Sequence, residues 1–256
     1  MPERKTPKWR QLADDLRAKI KSGEFAKGSA LPQIRELAEE TGWHYETVRS
    51  AVRALESEGL VVAKKGKGTF VSSILDKIYR DSTSRYRKSS REENGARGAF
   101  GAEIQRLGMT PRSVPTISRG PAPADVAEIL GVAATEAVLI RARVMYADDT
   151  VVQLATSYFP GDIAFGTVLE QEDTGTGGSI SRLAEQGHAQ VEITEDVEVR
   201  QPTDEEAEAL DIPSDRTVFE ITHIARTAEG RAVEVVRHVA PTTLWKLSYT
   251  WAVDAS

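Results

Sequence analysis

The chain has no cysteine, only three methionines and 6% aromatic residues. Without a thiol there is no disulfide and no thiolate metal site, and a reducing compartment is the natural setting. No apolar stretch approaches the roughly 20 residues that a membrane helix needs, and the opening MPERKTPKWRQL is charged and lacks the apolar core of a signal peptide. These absences predict a cytoplasmic chain with no membrane partner. Histidine is scarce as well: His44, His188, His223 and His238 show no metal-ligand spacing, and no serine sits in a nucleophile-elbow motif. No catalytic residue, cofactor or metal is expected.

What is present is an ordinary globular composition, 40% apolar and 28% charged over 256 residues, enough for one large or two modest domains. Its net charge of −6 is unevenly spread. Residues 1–73 hold 14 Lys+Arg against 10 Asp+Glu, residues 74–98 hold 7 against 4, and residues 99–256 hold 12 against 25. A basic front on an acidic body suits a protein that offers one face to phosphates and repels them elsewhere.

Within the basic part, Trp9, Leu12, Ala13, Leu16 and Ile20 recur at helical spacing up to Ser22-Gly23. Pro32 fits the first turn of a second helix whose inner face is Ile34, Leu37 and Ala38, ending at Thr41-Gly42. A third helix carries Val48, Ala51, Val52 and Leu55 at i, i+3, i+4, i+7, which turns Tyr45, Glu46, Arg49, Ser50 and Arg53 away from the core. LVVAKKGKGTFV then alternates into a hairpin tipped by Lys64, Lys65, Gly66, Lys67 and Gly68. Glycine allows close approach to a phosphate backbone and lysine supplies charge, although a charged turn of this kind also occurs as a solvated surface loop. Helix, tight turn, helix and basic hairpin is the layout of a winged helix-turn-helix, and duplex DNA is the partner it predicts.

LPQIRELAEETG, TVRSAVRALESEGLV and KGKGTFV, in that order and spacing, resemble the GntR family of bacterial transcription regulators. The resemblance implies DNA contacts from Arg35 on helix two, from Thr47 and Arg49 on the recognition helix, and from a wing at Lys65, Gly66, Lys67 and Gly68. His44 and Tyr45 stand where the family usually has Ser then Arg, and Gln33 and Ile34 where it has Ser then a charged residue. Loss of that arginine removes a common base contact, so the operator sequence is not transferable. His44 also replaces a good N-cap, a deficit of about 1 kcal/mol unless another group substitutes; it is read as a capping or phosphate-contact residue.

Residues 74–98, rich in Ser and Arg and short of apolar residues, read as a linker between domains 1–73 and 99–256. Beyond it an internal repeat appears: ADVAEILGV (124–132) parallels DEEAEALDI (204–212), AVLIRARVMYADD (137–149) parallels TVFEITHIARTAE (217–229), and VVQLATSYFP (151–160) parallels AVEVVRHVAP (232–241). Each half is a helix, a strand, a turn at Asp148-Asp149 or Glu229-Gly230, and a returning strand. Two such units make one antiparallel sheet with helices on a face. The whole chain is therefore expected to be α+β: a winged helix-turn-helix followed by a mainly antiparallel sheet with helices.

Residues 99–250 resemble the UTRA effector-binding domain of the HutC-type branch, a fold shared with chorismate lyase. The resemblance places ligand-facing residues at Arg141, Arg143, Ser157, Tyr158 and Glu234, with Glu195 a weaker candidate. Period-two spacing puts Arg141 and Arg143 on one strand face, where they can hold a carboxylate or phosphate or simply pair with the abundant acids. Glu234 can accept from a hydroxyl or amine, or pair with Arg226 or Arg237; Ser157 and Tyr158 can also be ordinary strand residues. Phe100 and Gly101 open a helix, Ala102 to Leu107, where sugar-phosphate-binding relatives have Phe-Ser. The expected whole is a homodimeric repressor of a palindromic operator, controlled by a small anionic effector. The alternatives are a DNA-binding dimer without effector and, with no catalytic constellation to support it, a lyase-like enzyme.

Overall fold

The computed structural model describes residues 6–64 and 66–253 and divides the chain into two compact units, Met1–Lys77 and Ile78–Ser256. Among the described residues no helix is long and apolar enough to cross a membrane.

In the first unit, α1 (Lys8–Ser22) buries Leu12, Ala13, Leu16 and Ile20, the stripe expected from spacing, and ends at Gly23. Helix α2 (Ile34–Thr41) starts two residues later than Pro32 suggested. Gln33 is extended and is its N-cap, and the Glu36 carboxylate accepts the Gln33 N–H at 2.8 Å. That reciprocal box fixes the helix start, which leaves Pro32 outside the helix. Helix α3 (Tyr45–Ser57) buries Val48, Ala51, Val52 and Leu55. Its N-cap deficit is filled by His44 itself, whose Nδ1 accepts the Glu46 N–H at 3.3 Å. Strands β1 (Val61–Lys64) and β2 (Gly68–Val71) form the antiparallel wing, paired from Val61↔Val71 to Lys64↔Gly68. A single core joins the three helices to Leu31, Leu60, Val61 and Val71 at the wing base.

The second unit is built on a six-stranded antiparallel sheet in the order β4-β5-β6-β9-β8-β7. Its strands are β4 (Pro111–Pro121), β5 (Ala137–Ala147), β6 (Thr150–Pro160), β7 (Glu192–Arg200), β8 (Val218–Arg226) and β9 (Ala232–Pro241). The internal repeat becomes two strand-helix-strand-strand halves, with α6 (Ala124–Leu130) in the first and α9 (Asp204–Leu210) in the second. They meet where β6 pairs with β9, from Leu154↔Val239 to Tyr158↔Val235. The opening strand of each half, β4 or β7, extends the unit read from the sequence.

Helices lie on both faces of the sheet, not one. Val126, Ala127 and Leu130 of α6 pack on Val138, Tyr158, Ile224 and Val235, and Leu210 of α9 on Val218 and Val239. On the opposite face, α7 (Gly161–Ala164) and α8 (Gly178–Glu185) pack through Ile163, Ala164 and Leu183 on Leu139, Phe159 and Ala225.

The stretch 74–98 is not a solvated tether. From Ile78 it belongs to the second unit: β3 (Ile78–Asp81) pairs in parallel with β10 (Trp245–Ser248), and α4 (Lys88–Arg91) leads to α5 (Ala99–Gln105). Helix α5 thus starts earlier than expected, with Phe100 and Gly101 inside its first turn. The segment looks hydrophilic because arginines do its packing. Arg80, Arg85 and Arg91 are all buried, and Arg80 is 1% exposed because its guanidinium pairs with the Glu195 carboxylate. Burial of a charge requires such a partner, and this one lies 115 residues along the chain.

Candidate nucleic-acid interface and ligand cavity

In the first unit the polar face of α3 is solvent-facing: His44, Tyr45 and Ser50 are exposed and Thr47 and Arg49 half-buried. The Arg49 guanidinium rests on the Glu46 carboxylate at 3.3 Å. An exposed pair like this is worth at most about 1 kcal/mol, so Arg49 is free to exchange it for a base edge or phosphate. Arg35 projects from α2 and is exposed, as are Gly66, Lys67 and Gly68 at the wing tip. Lys65, assigned to the same tip, lies outside the described residues. Gly66 and Gly68 adopt φ of +72° and +106°, and a Cβ at either would meet nothing within 4 Å. The backbone there is left-handed and unshielded, a shape that admits close approach of another backbone.

In the second unit a cavity of about 600 Å³ opens over the sheet face that carries α7 and α8. Strand register decides which residues reach it. Arg141 pairs with Ser157, Arg143 with Ala155, Ala155 with His238 and Val236 with His223, so these residues share one face. Arg141, Arg143, Gln153, His223, Glu234 and His238 line the cavity from the sheet, while Phe100 and Gly101 of α5 line it from above.

The two arginines differ in their availability. Arg141 donates to the backbone carbonyls of Leu169, Gln171 and Glu172. Burial, then the charge of Arg143, lowers its pKa to about 10, still protonated at neutral pH. Arg143 donates to Ser157 Oγ at 2.5 Å and leaves its buried Nε without a hydrogen bond. Burial lowers its pKa and Glu234 opposes the shift. Glu234, 3% exposed, accepts from Gln190 Nε2 at 3.1 Å and Ser179 Oγ at 3.4 Å. Ser157 thus acts on the cavity by holding Arg143.

Tyr158 and Glu195 sit elsewhere. Adjacent strand residues point to opposite faces, so with Ser157 toward the cavity Tyr158 packs under α6. Glu195 shares the cavity face on β7 but is sequestered by Arg80, Tyr86 and Ser82, the last at 2.6 Å. Burial alone would raise its pKa; the His223 imidazole at 3.8 Å, the Arg80 charge and the Ser82 and Tyr86 hydroxyls together hold it well below the carboxylate range.

Several lining residues escaped sequence reasoning. Tyr86 stacks on His223, with ring centroids 5.1 Å apart, and His238 Nδ1 meets Gln153 Nε2 at 3.1 Å. Burial, with the nearby arginine charges, holds His238 well below the ordinary imidazole range and therefore neutral. The repeat itself carried the signal. Aligning its halves puts His223 at the position of Arg143, His238 at that of Ser157 and Glu234 at that of Gln153.

Comparison with known proteins agrees with both parts. The profile of bacterial regulatory proteins of the gntR family matches residues 8–71, and that of the UTRA domain matches residues 107–244. An uncharacterized HTH-type transcriptional regulator of Streptomyces coelicolor is 34% identical over 98% of this chain and 95% of its own. The HTH-type transcriptional repressor NagR of Bacillus subtilis is 30% identical over 62% of this chain and 60% of its own. Among solved structures, PhnF from Mycobacterium smegmatis covers 95% of this chain and 100% of its own with a TM-score of 0.60 at 20% identity, a likeness of fold.

Proposed function

The chain belongs to the gntR family of bacterial regulatory proteins and carries a UTRA domain, and from that premise we propose that it is a homodimeric, HutC-type repressor released or repositioned on a palindromic operator by a small anionic effector. That it is a DNA-binding transcription regulator and not an enzyme follows from the family. The anionic effector in that assignment rests above all on the free, buried Nε of Arg143 at a cavity wall.

Arg35, His44, Tyr45, Thr47 and Arg49 are assigned to operator contact, with Gly66, Lys67 and Gly68, and Lys65 beside them, at the wing. An arginine can grip guanine O6 and N7 in a bidentate way, whereas the wing lysines act as point charges on phosphate. Arg143, positioned by Ser157, is assigned to the effector's anionic group and Glu234 to a hydroxyl or amine. Phe100 and Gly101 close the cavity, and Arg141 organises the 169–172 loop beside it. Effector binding then shifts the population of dimers whose two DNA units match the half-site spacing.

A second reading, a DNA-binding dimer without effector, draws on Arg141, whose guanidinium is already engaged by backbone carbonyls. A gel shift on the DNA upstream of the protein's own gene, with and without a panel of anionic metabolites, separates the two. Retardation relieved by one metabolite supports the first reading. Retardation that no metabolite alters supports the second, and no retardation at low salt contradicts both.

A further inference from the structure

Arg85 has no role in the reading above. It stands 6% exposed and lines the cavity from the segment that follows directly on the first unit in sequence. Its partner is Glu103 of α5, 1% exposed in its side chain, with Nη1 and Oε1 2.9 Å apart. The approach is not aligned for hydrogen bonding: Nε and Nη1 of Arg85 and both oxygens of Glu103 are buried without a hydrogen bond. Most buried polar groups are satisfied, and an orphaned one calls for an explanation. Arg80, a few residues away, also leaves Nε and Nη1 without a hydrogen bond, but its Nη2 donates to the Glu195 carboxylate and to Tyr86 Oη, a hydrogen-bonded counter-charge that Arg85 lacks. Burial raises the pKa of Glu103, which weakens its hold as a counter-charge.

We propose that Arg85 is a second anion-binding residue of this cavity, which it lines together with the sheet-borne Arg143, so that a carboxylate or phosphate group in the cavity is held from the 78–98 segment as well as from the sheet. The proposal rests on the reading of this cavity as the effector site. A planar guanidinium presents a fork of donors suited to either oxyanion, and charge-assisted bonds to it are about twice as strong as neutral ones. The anion satisfies donors that Glu103 leaves open and ties the 78–98 segment to β5. A segment so placed would register whether the cavity is filled.

The test is thermal unfolding of the full chain titrated with inorganic phosphate, and in parallel with acetate, at constant ionic strength. Wild type, R143M, R85K and the double variant R85M/E103M are compared; the double variant removes both charges together and so leaves no uncompensated buried ion. The expected result is saturable stabilisation of wild type, with R143M and R85M/E103M each needing about tenfold more anion, as the loss of one charged hydrogen bond implies. R85K should fall between, since an ammonium keeps the charge and loses the fork. The stronger of the two anions identifies the group. A folded R85M/E103M that saturates at the wild-type concentration, while R143M does not, overturns the assignment of Arg85 and leaves the cavity reading intact. Wild type unmoved by either anion overturns both. If the double variant fails to fold, R85K decides: a threefold weaker response supports the proposal and an unchanged one contradicts it.

Discussion

At the scale of single residues, the buried arginines and their partners carry the most testable consequences. Glu195→Ala leaves Arg80 uncompensated in a site where it is 1% exposed, and breaking a buried pair costs about 3–5 kcal/mol. Denaturant unfolding should show that loss, and a change under about 1 kcal/mol would mean the pair is not held as described. The same carboxylate sets an acid limit. Its folded pKa lies below its unfolded value of about 4.3, so its contribution is fully present above that value and is lost as pH falls toward the folded pKa. Stability measured from pH 6 to pH 3 should fall more steeply for wild type than for Glu195→Gln. Arg49 is the opposite case. Its partner Glu46 is exposed, so Arg49→Ala should leave the melting temperature unchanged while weakening operator binding by about 1–3 kcal/mol. An unchanged operator affinity would remove Arg49 from the recognition surface.

At the scale of elements, helices and strands were legible where the core is made by local periodicity. The stripe Leu12, Ala13, Leu16 and Ile20 and the spacing of Val48, Ala51, Val52 and Leu55 needed no partner to be recognised, and the repeat disclosed the paired hairpins. The segment 78–98 was not legible, because its burial depends on Arg80 and Arg85 meeting Glu195 and Glu103, distant in sequence. Tyr158 was misplaced for a simpler reason. Grouping it with Ser157 ignored the period of two, which allows only one of them to face the cavity. Cap positions shift the boundaries: the Gln33 and Glu36 box set the start of α2, and Thr203 with Glu206 does the same for α9, Glu206 N donating to Thr203 Oγ1 at 3.2 Å. Thr203→Ala should cost about 1 kcal/mol, read as a lower melting temperature with no change in DNA binding. In the wing, Gly68 at φ +106° has room for a side chain but not the backbone preference. Gly68→Val should destabilise the hairpin by about 1–3 kcal/mol and weaken DNA binding along with it.

At the scale of the whole molecule, the distribution of charge bears on function more than its sum. A chain of net charge −6 binds a polyanion only if its cations are gathered, and here Arg35, Arg49 and Lys67 are presented by a unit of positive charge while the acidic residues collect in the other. Binding by that unit must release counterions from DNA, so affinity should fall steeply and log-linearly with salt. The most direct measurement is the dissociation constant of the full chain for a labelled duplex from upstream of its own gene, followed by fluorescence anisotropy between 50 and 200 mM salt. With six or more phosphate contacts, affinity should drop by about a thousandfold across that range. Failure to bind at 50 mM, or an affinity flat with salt, would contradict the account.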